Sequence, residues 1–191
     1  MPSEEKYMEF FRKGGKLIDG LLRLDGQKSP KLSFFQKRKL RKAKELYELA
    51  SVESPENAAP FLMLAKIEER LGDHKEALAW LQKSWLLEPG NLILTIELSG
   101  AYGLVGKHQE AISVLLEGRK HYPNEPRILF NLGISFLLIG QAKAAVDIFL
   151  NTIEIEPDYE MNHKILAYSK DVVGGIKPLP KDQSDIARNI S

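Results

Sequence analysis

One interval governs this chain. Gly72, Gly106 and Gly140 stand 34 residues apart, and Ala77, Ala111 and Ala145 follow each of them by five. Pro55, Pro89, Pro123 and Pro157 keep the same step, and Leu64, Leu98 and Leu132 add a fourth register. A chain that repeats every few tens of residues is made of one supersecondary unit, which cannot bury its apolar face alone and therefore stacks on its copies.

The spacing within the unit reads as two helices. From Pro55 to Gly72, and again from Gly72 to Pro89, there is room for a helix of about 13 residues. The glycine between them supplies the left-handed conformation that closes a helix. The alanine, early in the second helix, lets two helices approach closely. The proline cannot continue a helical hydrogen-bond ladder and ends the unit. Asn91, Asn124 and Asp158 bring turn chemistry before the next start.

With these residues in place, the pattern resembles the tetratricopeptide repeat family. Residues 58–91 show it as Phe61, Leu64-Ala65, Glu68, Gly72, Ala77, Leu81 and Pro89. Residues 92–125 show Thr95, Leu98-Ser99, Tyr102, Gly106, Ala111, Leu115 and Pro123; residues 126–159 show Leu129, Leu132-Gly133, Phe136, Gly140, Ala145, Phe149 and Pro157. Glu68, where the family has an aromatic, and Thr95, where it has a bulky residue, depart from the pattern. The resemblance implies an all-α fold, a right-handed superhelix of helix-turn-helix hairpins.

The ends are less regular. Residues 36–57 carry Ala43, Tyr47, Ala50 and Pro55 in register as a degenerate half-repeat helix, but "LDGQKSPKLSFFQK" holds turn residues where its first helix belongs. Residues 1–35 read as an amphipathic, partly irregular segment. Tyr7, Phe10, Phe11, Leu17, Ile18, Leu21 and Leu22 form a stripe that Gly14 and Gly15 interrupt. It would dock on the first repeat, fold over the groove or lie on a membrane. Residues 160–173 predict a capping helix, with Met161, Ile165, Tyr168 and Val172 on one stripe and Asn162, Ser169 and Lys170 on a wetter face. Residues 174–191 offer little to bury and predict a flexible tail.

Composition narrows the function. There is no cysteine, hence no disulfide, thiol nucleophile or thiolate metal site. The longest apolar runs, about five residues, fall far short of the roughly 20 that span a bilayer. No secretory leader is apparent, and the expected location is the cytoplasm. The net charge of +1 conceals a balance of +6 over residues 1–50 (13 Lys/Arg, 7 Asp/Glu) and −5 over the rest.

No phosphate loop, nucleophile elbow or HExxH motif is present, so the chain reads as non-catalytic and without cofactors. Asp73-His74-Lys75-Glu76 could be taken for an acid, base and metal-ligand cluster. His108 repeats His74 after 34 residues, but Ala142 occupies the third equivalent place, and the run reads as helix punctuation. Trp80 and Trp85 read as packing residues. Gly100 and Gly103 admit two explanations, close helix packing or a groove floor kept open. Lys37, Arg38, Lys39, Arg41, Lys42 and Lys44 form either a solvated helix face or a contact for nucleic acid or anionic lipid.

The resemblance locates the binding surface. First helices of successive repeats line a concave groove in this family, which would place Leu62, Met63, Lys66, Ile93, Ile96, Glu97, Gly100, Arg127, Phe130, Asn131, Ile134 and Leu138 on it. A mostly apolar surface of this extent suits an apolar helix or peptide. The carboxylate clamp of some family members would fall on Leu62, Lys66, Glu97, Arg127 and Asn131, and a central glutamate repels a carboxylate. In size and layout the chain is similar to small bacterial secretion chaperones with three such repeats, without their strongly acidic character. The expected function is an interaction scaffold or chaperone-like adaptor with a protein or peptide partner. A homodimer could instead cover the groove, leaving a basic adaptor that touches nucleic acid or membrane through residues 28–44.

Overall fold

The computed structural model describes residues 4–22 and 30–190. Among them the regular elements are all α-helices: α1 (Glu4–Ile18), α2 (Phe34–Glu53), α3 (Ala58–Leu71), α4 (His74–Leu87), α5 (Leu92–Leu104), α6 (His108–His121), α7 (Pro126–Leu138), α8 (Ala142–Ile155), α9 (Glu160–Val173) and α10 (Gln183–Ile190). They fall into two compact units, α1–α4 up to Glu88 and α5–α10 from Pro89.

The 34-residue period maps onto hairpins for the reasons its spacing gives. Gly72, Gly106 and Gly140 take φ of 95°, 75° and 81°, a region that a side chain disfavours and that reverses the chain after each first helix. Asn57 and Asn91 cap the starts of α3 and α5, accepting from the amides of Ala59 and Ile93 at 2.9 Å each. Asp73 caps α4 through the amide of Glu76 at 3.1 Å. The whole run Asp73-His74-Lys75-Glu76 is exposed, so the apparent acid–base cluster is the start of a helix.

Within a hairpin, a small residue on the first helix admits a large one on the second. A Cβ on Gly133 would stand 2.6 Å from the ring of Phe149, which is wholly buried. Ala65 and Ser99, in the same register, are also buried. The departures from the family pattern find their reasons here too. Thr95 is small because α6 brings Gly118 against it; a Cβ there would lie 2.5 Å from the Thr95 methyl. Glu68 is 5% exposed and pairs with Lys44 of α2 at 2.5 Å, which raises the lysine pKa above its ordinary value. Lys44 thus turns, half-buried, toward Glu68, while Lys37, Arg38, Lys39, Arg41 and Lys42 remain exposed.

Three expectations are corrected. The first helix of the N-terminal hairpin is displaced rather than unrecognisable. α1 packs on α2 and sets Gly14 against Tyr47, where a Cβ would meet the ring at 2.9 Å. The glycine that looked like an interruption is the close contact itself, equivalent to Gly133 against Phe149. Phe11 meets Tyr47 edge-on at 5.1 Å, and Phe11, Leu17, Ile18, Leu21 and Leu22 join the core around Leu40, Phe61 and Leu64. Gly14 precedes Ala65 by 51 residues, 17 more than the period, because a long connection separates α1 from α2. Arg70 brackets that connection, donating to the carbonyls of Leu21 (3.2 Å) and Pro30 (2.7 Å).

The second correction concerns α9, which spans the expected capping helix. Asn162 and Ser169 are buried rather than on a wet face, and the Ser169 hydroxyl donates to the Ile165 carbonyl at 2.7 Å. The third concerns residues 174–191: instead of a flexible tail, they include α10, whose Ile186 is 3% exposed.

The two kinds of helical glycine should respond oppositely to alanine. Gly133→Ala is expected to lower stability by about 1–3 kcal/mol through overpacking against Phe149. Gly100→Ala, with nothing within 4 Å of its new methyl, should raise it by about 0.5–1 kcal/mol. Urea denaturation followed by circular dichroism measures both.

Candidate binding face

α7 builds the face. Arg127, Phe130, Asn131, Ile134 and Leu138 follow steps of three and four and so share one side of the helix. The other side carries Leu129, Leu132 and Gly133, all buried. Gly133 faces α8, while Phe130 and Ile134 beside it are half-buried, Phe130 meeting the Phe149 ring edge-on at 6.0 Å.

Next to this side lies a cleft of about 860 Å³. α5 contributes Ile96, the start of α7 contributes Arg127, Phe130 and Asn131, and Ile155, Tyr159 and Asn162 close it from α8, the following turn and α9. Four of the residues expected from the sequence therefore meet here. Ile134 lies beside them, facing α10, and Leu138 packs against the same apolar cluster. Ile93 is 55% exposed and, with Glu97 and Gly100, lies outside the cleft lining. Leu62, Met63 and Lys66 belong to the first unit, where Met63 packs on its core and Lys66 pairs with Glu69 at 3.4 Å.

Charge at the cleft is one-sided. Arg127 Nε donates to Glu125 Oε1 at 2.6 Å from a largely exposed side chain. Glu156 and Asp158 add two carboxylates to the lining. The lining thus carries three carboxylates, of Glu125, Glu156 and Asp158, against one guanidinium.

Sequence reasoning missed Asn162. It is 1% exposed, lines the cleft, and neither its amide nitrogen nor its amide oxygen has a partner. A signal was present: 34 and 68 residues earlier the same register holds Ile128 and Leu94, both buried and apolar. A polar residue at an apolar register position marks either a cost to the fold or a use for the group. Elsewhere polar chemistry is sparse. His74 is exposed, and burial lowers the pKa of the half-buried His108. No group of three or more His, Cys, Asp or Glu that could hold a metal occurs among the described residues. Trp80 stacks on Phe61 with centroids 5.9 Å apart, a packing contact.

A profile of the tetratricopeptide repeat matches residues 32–84 and 104–160, more than half of the sequence. The chain belongs to the tetratricopeptide repeat family. A crystal structure of the protein MamA is 17% identical, covering 98% of this chain and 93% of that one at a TM-score of 0.75. MamA from Desulfovibrio magneticus RS-1, from residue 41 to its end, is 12% identical, with coverage of 98% and 96% and a TM-score of 0.74. YrrB, described as a repeat protein of this family with an unusual peptide-binding site, is 20% identical over 68% of this chain and 70% of its own, with a TM-score of 0.59. At such identities these likenesses establish the fold alone. A search of curated protein sequences found no match. The family membership makes the chain a protein-interaction module, and none of its described helices is long and apolar enough to cross a membrane.

Asn162 gives a test of whether the cleft has a cost. Asn162→Leu restores the apolar residue of the preceding repeats, and removing the two unpaired polar atoms should stabilise the fold by about 1–3 kcal/mol. Thermal melting of the variant beside the wild type reads this directly.

Proposed function

We propose that the chain is a non-catalytic adaptor that holds an apolar helix or peptide of a partner protein against the face built by α5, α7 and α9. The observation that carries this reading is the cleft itself: Ile96, Phe130, Ile155 and Tyr159 give its lining a large apolar share, beside the polar Asn131 and Asn162. Clefts with that lining favour a ligand that buries aliphatic or aromatic side chains and leaves its polar face in water. The peptide-binding site described for YrrB is in keeping with it. A chaperone-like role, in which the adaptor shields an apolar segment of its partner in the cytoplasm, is the specific form we favour.

A second reading has its own observation. Phe34 and Phe35, at the start of α2, are 74% and 73% exposed and lie beside the exposed Lys37, Arg38 and Lys39. Aromatic residues next to a basic run suit an anionic surface, of lipid or nucleic acid, better than bulk water.

The two readings separate on salt and on site. Partners are captured from the native host with wild type and with an Ile96→Asp, Phe130→Asp variant. The interacting segment of each is then synthesised and titrated. A ligand of the cleft should bind the variant at least tenfold more weakly and keep its affinity between 50 and about 200 mM salt, whereas phosphate binding falls steeply over that range. A folded variant that retains every partner at full affinity defeats the cleft reading.

A further inference from the structure

Residues 174–190 are described beyond the repeat pattern, and the chain brings part of them to its own candidate face. After α9 the backbone passes through Gly174 and Gly175, the latter at φ 71°, and then through Pro178 and Pro180. The Tyr168 hydroxyl donates to the Pro178 carbonyl at 3.2 Å and directs the chain back across the unit. α10 then places Ile186 and Ile190, four residues apart and so on one side, in the cluster that holds Phe130, Ile134 and Leu138. At its start, Gln183 reaches Gly103 of α5, where a Cβ would lie 2.9 Å from Gln183 Nε2. Of the two helical glycines, Gly103 is thus the one that α10 approaches, through the tip of a side chain.

α10 is an appended helix: it packs chiefly on α9 and sends one side chain, Ile186, into the buried cluster of Leu137, Phe149, Ile165 and Tyr168. Eight residues are too few to remain helical in water alone, so the helix exists only while docked. Its own supports are exposed: the Asp185 amide donates to Asp182 Oδ1 at 2.9 Å, and Asp185 pairs with Arg188. The fit is also incomplete. A cavity of about 220 Å³ remains between Phe130, Asn131 and Ile134 on one side and Ile186, Ala187 and Ile190 on the other. The inner side of α7, by contrast, closes Leu129 and Leu132 completely. The cavity and the large cleft share Phe130 and Asn131, so a ligand running along the face from the cleft meets α10.

We propose that α10 is an intramolecular stand-in for the partner, and that the partner is an amphipathic helix with aliphatic residues four apart that binds by displacing it. This rests on the reading that the face receives a partner segment, and it adds that segment's chemistry and a built-in competitor. The connection from Val173 to Gln183 is short, so the tethered helix acts at an effective concentration of roughly millimolar. An outside helix then sees its affinity reduced by the fraction of chains whose α10 is undocked.

The test uses a labelled synthetic peptide of residues 178–191, titrated to millimolar against full-length wild type and a full-length Ile186→Asp, Ile190→Asp variant, with fluorescence anisotropy as the readout. The peptide should bind the variant at least about tenfold more tightly than wild type, and adding Ile134→Asp should abolish that binding. Equal binding to both chains, or no binding to the folded variant, overturns the proposal. Should the variant fail to fold, hydrogen exchange of the wild type decides. Amides of α10 exchanging at least about tenfold faster than those of α9 support it, because a docked arm opens by itself; equal protection overturns it. A captured partner that needs Phe130 yet binds wild type and the Ile186→Asp, Ile190→Asp variant alike would uphold the adaptor reading and defeat this one.

Discussion

The hairpins depend on close approach at one point between their two helices. Where Gly133 faces Phe149, and where Gly14 faces Tyr47, a methyl group would enter the ring. A small residue lets the first helix sink onto a broad side chain of the second, so the contact is dense without strain. That contact also sets the rotation of the first helix. With Gly133 turned inward, Phe130 and Ile134 are left half-buried at the border of the core, and their exposed parts form an apolar row. The candidate face thus follows from how the hairpin closes.

The second unit meets that row with its own C-terminus. Ile186 covers one part of the row and is lost to solvent there, while the part near Ile96, Arg127 and Tyr159 stays open as the cleft. Partial cover is a physical compromise. A bare apolar row invites aggregation, and a fully packed one admits no ligand. A short helix held by two isoleucines and a cavity below it lies between those extremes. Asn162 belongs to the same economy, since an unpaired buried amide beside a cleft keeps the site less than optimally stable for the fold.

Charge has a structural part that its distribution along the sequence does not announce. Lys44 belongs to a cluster of six basic residues, yet, half-buried, it pairs with Glu68, which is all but buried. A lone carboxylate in that place would be costly, and the lysine's partner in α3 explains both residues together. The other members of the cluster stay in water, next to two exposed phenylalanines.

Much of the fold was legible because its signals are local. Glycine at a reversal, asparagine at a cap and proline at a stop act within a few residues of their own positions, so a 34-residue period in one dimension becomes α3 to α8 in three. Phe130, Asn131, Arg127 and Ile96 were legible for the same reason, as register positions on those helices. α1 escaped because a longer connection breaks the period, although Gly14 and Tyr47 repeat the same contact. α10 and the burial of Asn162 escaped for a deeper reason. An eight-residue helix has no stability of its own to leave in the sequence, and an asparagine reads as polar until its neighbours are known. Sequence alone determined the repeat, its turns and the apolar row of α7; tertiary structure decided what lies on that row, because burial of Ile186 depends on residues of α7 some fifty positions away.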